Sequence, residues 1–282
     1  MCVTHCTDNS ELFFEKTASC LLGQNYSHVF PSEISHSINN LIGSSFLKDR
    51  RITLQEWRLR DKKFHLTLAQ NANYISIEIE WLDYEEHSLG FWIRELEMIR
   101  STVHMINDPQ KLIDRVLIGL RRVLGFERFI FFKASDDGRY EFMNEVLGPY
   151  LSSARDLSHS QSHPLLYEEG AGPKACLDFE KRHAKLFVSD KAQGKAEPVH
   201  ELAALSIPTS LSYSYSVIEH DSLLENGVMS FAAFPIIIEG RVWGLFEGHH
   251  MSPHIAGRNM REAMALFSEF LSYQIRLIEM KR

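Results

Sequence analysis

"LLENGVMSFAAFPIIIEGRVWGLFEGHH", residues 223–250, decides how this chain is read. Two apolar runs, "SFAAFPIII" and "RVWGLFEGHH", flank Glu239 and Gly240. A two-residue break ending in glycine between apolar runs signals a β-hairpin, because the favoured tight turns need positive φ. The second run ends in His249 and His250. Neighbouring strand residues point to opposite faces of a sheet, so the pair cannot easily share one metal ion. No carboxylate or cysteine is read at ligand spacing beside them, and no metal site is predicted.

Working outward, residues 259–282 carry Met260, Met264, Phe267, Leu271, Ile275 and Ile278 at helical spacing. They predict a long amphipathic helix, with Arg276, Lys281 and Arg282 suited to its C-terminal dipole. Upstream, "FWIRELEMIRSTVHMI" repeats apolar residues at three and four. Asp108 and Pro109 then restart a helix as N-cap and first residue. Leu112, Val116 and Leu120 form its face, and Gly125 closes it. "ERFIFFKASDDGRYEFMNE" predicts a hairpin around Asp137-Gly138. Residues 148–200 read as polar and irregular.

The first ~90 residues read as short helices followed by a three-strand antiparallel meander. "SELFFEKTASCLLG" begins as a strand-like run and stops near Gly23. Ile34, Ile38 and Leu41 lie at helical spacing after Pro31. The strand candidates alternate at Ile52, Leu54 and Trp57, then at Phe64, Leu66 and Leu68, then at Ile75, Ile77 and Ile79. Residues 71–73, Asn-Ala-Asn, supply the last turn.

Composition narrows the function. Hydrophobic residues make up 44% and charged residues 24%, which fits a globular chain. The net charge of −7 disfavours a nucleic-acid binder as a whole. No run of about 18 apolar residues predicts a membrane span, and the polar start "MCVTHCTDNS" lacks a secretory core. These features predict a cytoplasmic protein. Its four cysteines, Cys2, Cys6, Cys20 and Cys176, form no C-x-x-C pair and are expected to be free thiols, the first two near a frayed terminus. There is no G-x-S-x-G, no H-E-x-x-H and no phosphate-cradling glycine loop, so no catalytic residues and no enzyme are predicted.

Three segments resemble the phytochrome family. "DPQKLIDRVLIGLRRVLGFERFIFFKASDDGRYEF" is similar to the opening of a phytochrome GAF domain. Gly227-Val228, Trp243-Gly244-Leu245 and His249-His250 match, without gaps, the family's run into a Trp-Gly-Leu…Cys-His-His ending. The preceding ~90 residues are similar to a PAS core. The resemblance implies an α+β fold: a PAS-like domain over 1–90, a connecting helix over 91–106, and a GAF domain over 107–282. It also implies a divergent member that starts downstream of the knot-threading segment and ends before any PHY or output domain. The characteristic signature of cyclic-nucleotide GAF domains is not found.

The family holds a linear tetrapyrrole, a bilin, in its GAF pocket, and the resemblance carries the pocket positions across one by one. The Asp-Ile-Pro position falls at Ala171-Gly172-Pro173, keeping only Pro173. The propionate-binding arginines fall at Leu186, beside Lys185, and at Tyr213. The pocket histidine falls at Glu219, with His220 adjacent. The propionate serines fall at Ala233 and Pro235, and the cysteine of Cys-His-His at Gly248. One of His249 and His250 is implied to face the pocket. No cysteine stands before Glu219, and Cys2 and Cys6 lack the bacterial attachment motifs.

A bilin's two propionates need buried charge partners, and an unpaired buried carboxylate is costly. The substitutions remove those partners together. They predict a sensory module with an altered pocket, reading another ligand or a partner; the alternative is a photoreceptor holding a biliverdin-like bilin non-covalently. The resemblance further implies a homodimer through the C-terminal helix and a separate signalling partner protein.

Overall fold

The computed structural model describes residues 1–7, 10–43, 51–59, 62–70, 75–81, 87–135, 140–149, 151–154, 185–188, 199–201, 227–252, 254 and 256–281. The chain divides into two compact units: residues 1–84 with 196–211, and residues 85–195 with 212–282. The helix read as a connector over 91–106 groups with the second unit.

The first unit holds β1 (His5–Thr7), α1 (Glu11–Phe14), α2 (Ala18–Leu21), α3 (Tyr26–Val29) and α4 (Ser32–Gly43). The three predicted strands follow as β2 (Arg51–Leu59), β3 (Lys62–Gln70) and β4 (Ile75–Trp81), antiparallel in that order. Phe64, Leu66 and Leu68 alternate on β3 and bury against Ile34 and Ile38 of α4 and Tyr26 of α3. The run read as strand-like is helical at Glu11–Phe14; a short apolar run has no period that separates the two states. The N-terminus is tied down rather than frayed. Cys2 bridges Asn25, Val3 N donates to Gln24 O at 2.9 Å, and β1 pairs antiparallel with β8 (Val199–Glu201). Cys2, Cys6 and Cys20 are free; Cys176 and the turns at 71–73 and 137–138 lie outside the described residues.

The second unit is built on a five-stranded antiparallel sheet ordered β6-β5-β10-β9-β7. Its strands are β5 (Arg128–Ala134), β6 (Tyr140–Leu147), β7 (Lys185–Val188), β9 (Ser230–Ile238) and β10 (Arg241–His250). The stretch read as irregular thus contributes β7 and β8. The β9–β10 turn has φ of 53° at Glu239 and 77° at Gly240, both positive as a two-residue hairpin of this hand demands.

Three helices cover one face: α5 (Leu89–Val103), α6 (Pro109–Leu124) and α7 (Arg258–Glu279). Asp108 Oδ1 accepts from Lys111 N at 2.9 Å, Pro109 opens α6, and Gly125 closes it at φ 75°. Leu112, Val116 and Leu120 bury fully, as do Leu271 and Ile275 of α7. They meet Phe129, Phe131, Ala232, Phe234 and Phe246 from the sheet. Each such side chain contributes roughly 1.5–3 kcal/mol on burial. The end of α7 is fixed to the hairpin: Trp243 Nε1 donates to Glu279 Oε1 at 3.0 Å, and Arg276 pairs with Glu239 at 2.9 Å.

Candidate functional site: the second face of the five-stranded sheet

Side chains of β10 alternate about the sheet. Phe246 joins the helix-side core, while Leu245 joins a smaller cluster on the other face with Ile130, Phe132, Phe231 and Ala233. Glu247 and His249 share the parity of Leu245. The register then sets a row across four strands: Glu145 opposite Ile130, Ile130 opposite Glu247, Glu247 opposite Ala233. The next row places Arg128 opposite His249, and His249 opposite Phe231.

This face therefore carries buried charge. Glu247 is 0% exposed, Arg128 2% and His249 5%. His249 Nε2 lies 3.2 Å from Glu247 Oε2, an i, i+2 contact that one side of a strand permits. Burial pushes the Arg128 guanidinium's pKa down, and the negative charge of Glu145 opposes that. Arg128 Nε has no hydrogen-bond partner among the described residues. Glu145 accepts from Ala154 N at 2.9 Å and from Ser153 Oγ. Carboxylate, imidazole and guanidinium together can hydrogen-bond the polar edge of a ligand or hold a proton. Among the described residues no group of three or more His, Cys, Asp or Glu could hold a metal ion.

His250 turns to the opposite side. Its Nδ1 accepts from Ser252 N at 3.1 Å and lies 3.7 Å from Glu127 Oε2. Its ring stacks on His254, with centroids 4.9 Å apart. The two histidines of the sequence motif thus have separate surroundings.

Of the sequence-predicted site residues, Pro173, Tyr213, Glu219 and His220 lie outside the described residues. Ala233 and Pro235 share the parity of Phe231 on β9 and stand on the second face with Glu247 and His249. Glu247, Arg128 and Glu145 were missed. The reading that no carboxylate stands beside the histidines is corrected by Glu247, two residues away on the same face. The signal was present: Arg128 has the parity of Ile130 and Phe132, and Glu247 that of Leu245. A groove of about 480 Å³ lies elsewhere, at the C-terminal end of α6, lined by Ile118, Arg121, Arg122 and Glu127 among others.

The GAF domain family matches residues 108–275, an interval that contains α6, the sheet and most of α7. The chain belongs to the GAF domain family. Among curated proteins it is 26% identical over 223 residues to a bacteriophytochrome of Pseudomonas aeruginosa, covering 74% of this chain and 28% of that one. A bacteriophytochrome of Xanthomonas campestris is 22% identical over 173 residues, covering 57% of this chain and 25% of that one. The chain thus spans about a quarter of these relatives. Among solved structures, the chromophore-binding domain of the Stigmatella aurantiaca bacteriophytochrome superposes with a TM-score of 0.72 at 19% identity, covering 97% of this chain and 90% of that one. A bacteriophytochrome from R. palustris gives 0.75 at 16% identity, over 99% of this chain and 56% of that one.

The α+β architecture and the phytochrome-family likeness read from the sequence are borne out: this is a divergent phytochrome-like GAF sensory module. No helix among the described residues is long and apolar enough to cross a membrane.

Proposed function

We propose that this module senses through the second face of its GAF sheet, binding a ligand other than a bilin or a partner protein, and relays the event through α7. The observation that carries this reading is the buried Glu247–His249 pair beside Ala233 and Pro235. Where the family resemblance implies two serines for propionates, Ala233 and Pro235 carry no hydroxyl, and Glu247 adds a buried carboxylate beside them. Two further anionic groups placed there would meet repulsion in a low-dielectric site. Co-expression with a bilin-producing heme oxygenase tests it. The purified protein is expected to show no red-region absorbance; a bound, photoconverting bilin would overturn the reading.

The second reading is a red/far-red photoreceptor that holds its bilin without a covalent bond. It draws support from the fold match to a chromophore-binding domain across 97% of the chain and from His249 on the second face. The same absorbance measurement decides between them.

Pairing through α7 belongs to this proposal. The stripe read from the sequence is spent on the core, while Leu266, Tyr273 and Met280 are 54%, 65% and 74% exposed. These outward residues form the dimer contact, and a separate signalling protein reads the pair. Light scattering on Leu266→Glu and Tyr273→Glu variants is expected to show monomers where the wild type shows dimers; a monomeric wild type would remove this element.

A further inference from the structure

Residues 251–257 carry β10 into α7, and this connection is held at several points. Met251 N donates to Glu127 Oε2 at 2.8 Å. His254 N donates to Ser230 Oγ at 3.0 Å, and that hydroxyl donates to Ser252 O at 3.0 Å. His254 Nε2 lies 3.1 Å from Leu124 O, a terminal carbonyl of α6. The His254 ring meets Phe126 edge-on at 4.7 Å and lies nearly parallel to His250, 18° between planes.

A carbonyl only accepts, so His254 Nε2 carries hydrogen. His250 Nδ1 lies 3.1 Å from Ser252 N and 3.0 Å from Ser252 O, so either tautomer of that ring finds a partner at Ser252. Glu127 and the negative end of the α6 dipole lie against the pair and favour one positive charge on it. A second positive charge would set two cations face to face at 4.9 Å.

The surrounding charges are accounted for. Arg121 of α6 donates to the main-chain carbonyl of Glu127, and Arg258 at the start of α7 pairs with Glu262 at 2.7 Å. Ser230 and Met229 N contribute from the start of β9, and neither titrates.

We propose that the stacked His250 and His254 form a one-proton latch on the joint between β10 and α7, closed at neutral pH and opened when a second proton is forced on. The latch makes its contacts on the other side of β10 from the second sheet face, because His250 and His249 face opposite sides of the same strand. It makes the strand-to-helix joint of a sensory module responsive to acid. Burial holds the His254 imidazole below its ordinary value; the charge of His250 acts the same way, and the Leu124 carbonyl and Glu127 oppose. The folded chain thus refuses a proton that the unfolded chain takes near pH ~6.5. The latch is fully held above that pH and is lost as pH falls below it.

The test is a histidine NMR titration of the whole chain, following the Cε1–H signals from pH 8 to pH 4.5. The wild type is expected to show two steps for the pair separated by more than about one pH unit. His250→Asn is expected to raise the step of His254 and merge it into a single ordinary titration. Protection of the Met251 and His254 amides, corrected for intrinsic exchange, is expected to fall about tenfold or more as the second proton binds. One unsplit step for both rings in the wild type would overturn the proposal, as would an unmoved His254 step in His250→Asn. If that variant fails to fold, the wild-type splitting and amide protection decide alone.

Discussion

Gly248→Ala tests how β10 is packed between its two faces. A Cβ at Gly248 would sit 2.6 Å from Phe126 Cγ, 2.7 Å from Phe126 Cδ2 and 2.8 Å from Phe129 Cε2. Carbon atoms in contact prefer about 3.5–4.0 Å, so the new methyl arrives roughly 1 Å too close to both rings. Neither ring has room to yield. Phe126 and Phe129 are 2% and 0% exposed and pack edge-on to each other at 5.7 Å. Overpacking of this kind costs about 1–3 kcal/mol. Replacing a strand glycine returns roughly 0.5–1 kcal/mol of backbone entropy. The net loss is about 1–2 kcal/mol, which lowers Tm by roughly 2–8 °C for a chain of this size.

The matched control is Gly240→Ala. Nothing lies within 4 Å of its Cβ, but its φ is 77°, so its cost of about 1–2 kcal/mol comes from the left-handed backbone alone. Thermal melts of both variants, each repeated with Phe126→Leu, separate the causes. Phe126→Leu is expected to relieve Gly248→Ala and leave Gly240→Ala unrelieved. A Gly248→Ala protein as stable as wild type, or equal coupling for both glycines, would refute the packing argument. Gly248→Cys restores the residue implied by the phytochrome resemblance and is expected to cost more than alanine, because its sulfur adds volume at the same place.

His249→Leu removes the imidazole 3.2 Å from a fully buried carboxylate and is expected to cost about 3–5 kcal/mol; in urea unfolding, Glu247→Leu/His249→Leu should regain most of that. Asp108→Ala deletes the cap on α6 and is expected to cost about 0.5–2 kcal/mol; an unchanged urea midpoint would show that Pro109 alone sets that helix start. Stability should be full above about pH 6.5 and decline toward pH 5, because the folded state disfavours a proton on His254 that the unfolded chain accepts; His254→Gln should flatten part of that slope in urea midpoints measured across pH.

Much of the fold was legible because its signals are local. Asp108, Pro109 and Gly125 mark the ends of α6 through capping chemistry that needs no tertiary information. Glu239-Gly240 states its turn through the φ it requires, and Phe64, Leu66 and Leu68 state their face through a period of two. The strand pairing of Cys6 with His200 was illegible, because residues far apart in sequence carry no local sign that they will meet. The same limit applies to residues 196–211, which group with the first unit. The buried charges were legible in principle. Arg128 and Glu247 occupy inward positions of strands whose alternation is a local signal, but that signal does not say which partner a buried charge will meet.

The geometry of β10 gives a physical reason to treat the two histidines as one system. His249 meets Glu247 on the second face, and His250, one residue on, begins the connection to α7 on the helix side. Between Glu247 and His249, Gly248 stands hard against Phe126 and Phe129, and Phe126 in turn touches His254. A ligand that shifts Glu247 or His249 cannot move β10 without pressing on Phe126. The interior is too densely packed to absorb such a shift by compression. The displacement must pass to the His254 ring and to the Leu124 carbonyl that it holds, or be refused altogether. Gly248→Ala/Phe126→Leu therefore has a consequence beyond stability. By loosening that contact, it should weaken the effect of any change on the second face upon amide protection at Met251 and His254. A double variant that responds to His249→Leu as fully as the wild-type background would break the proposed route between the two faces.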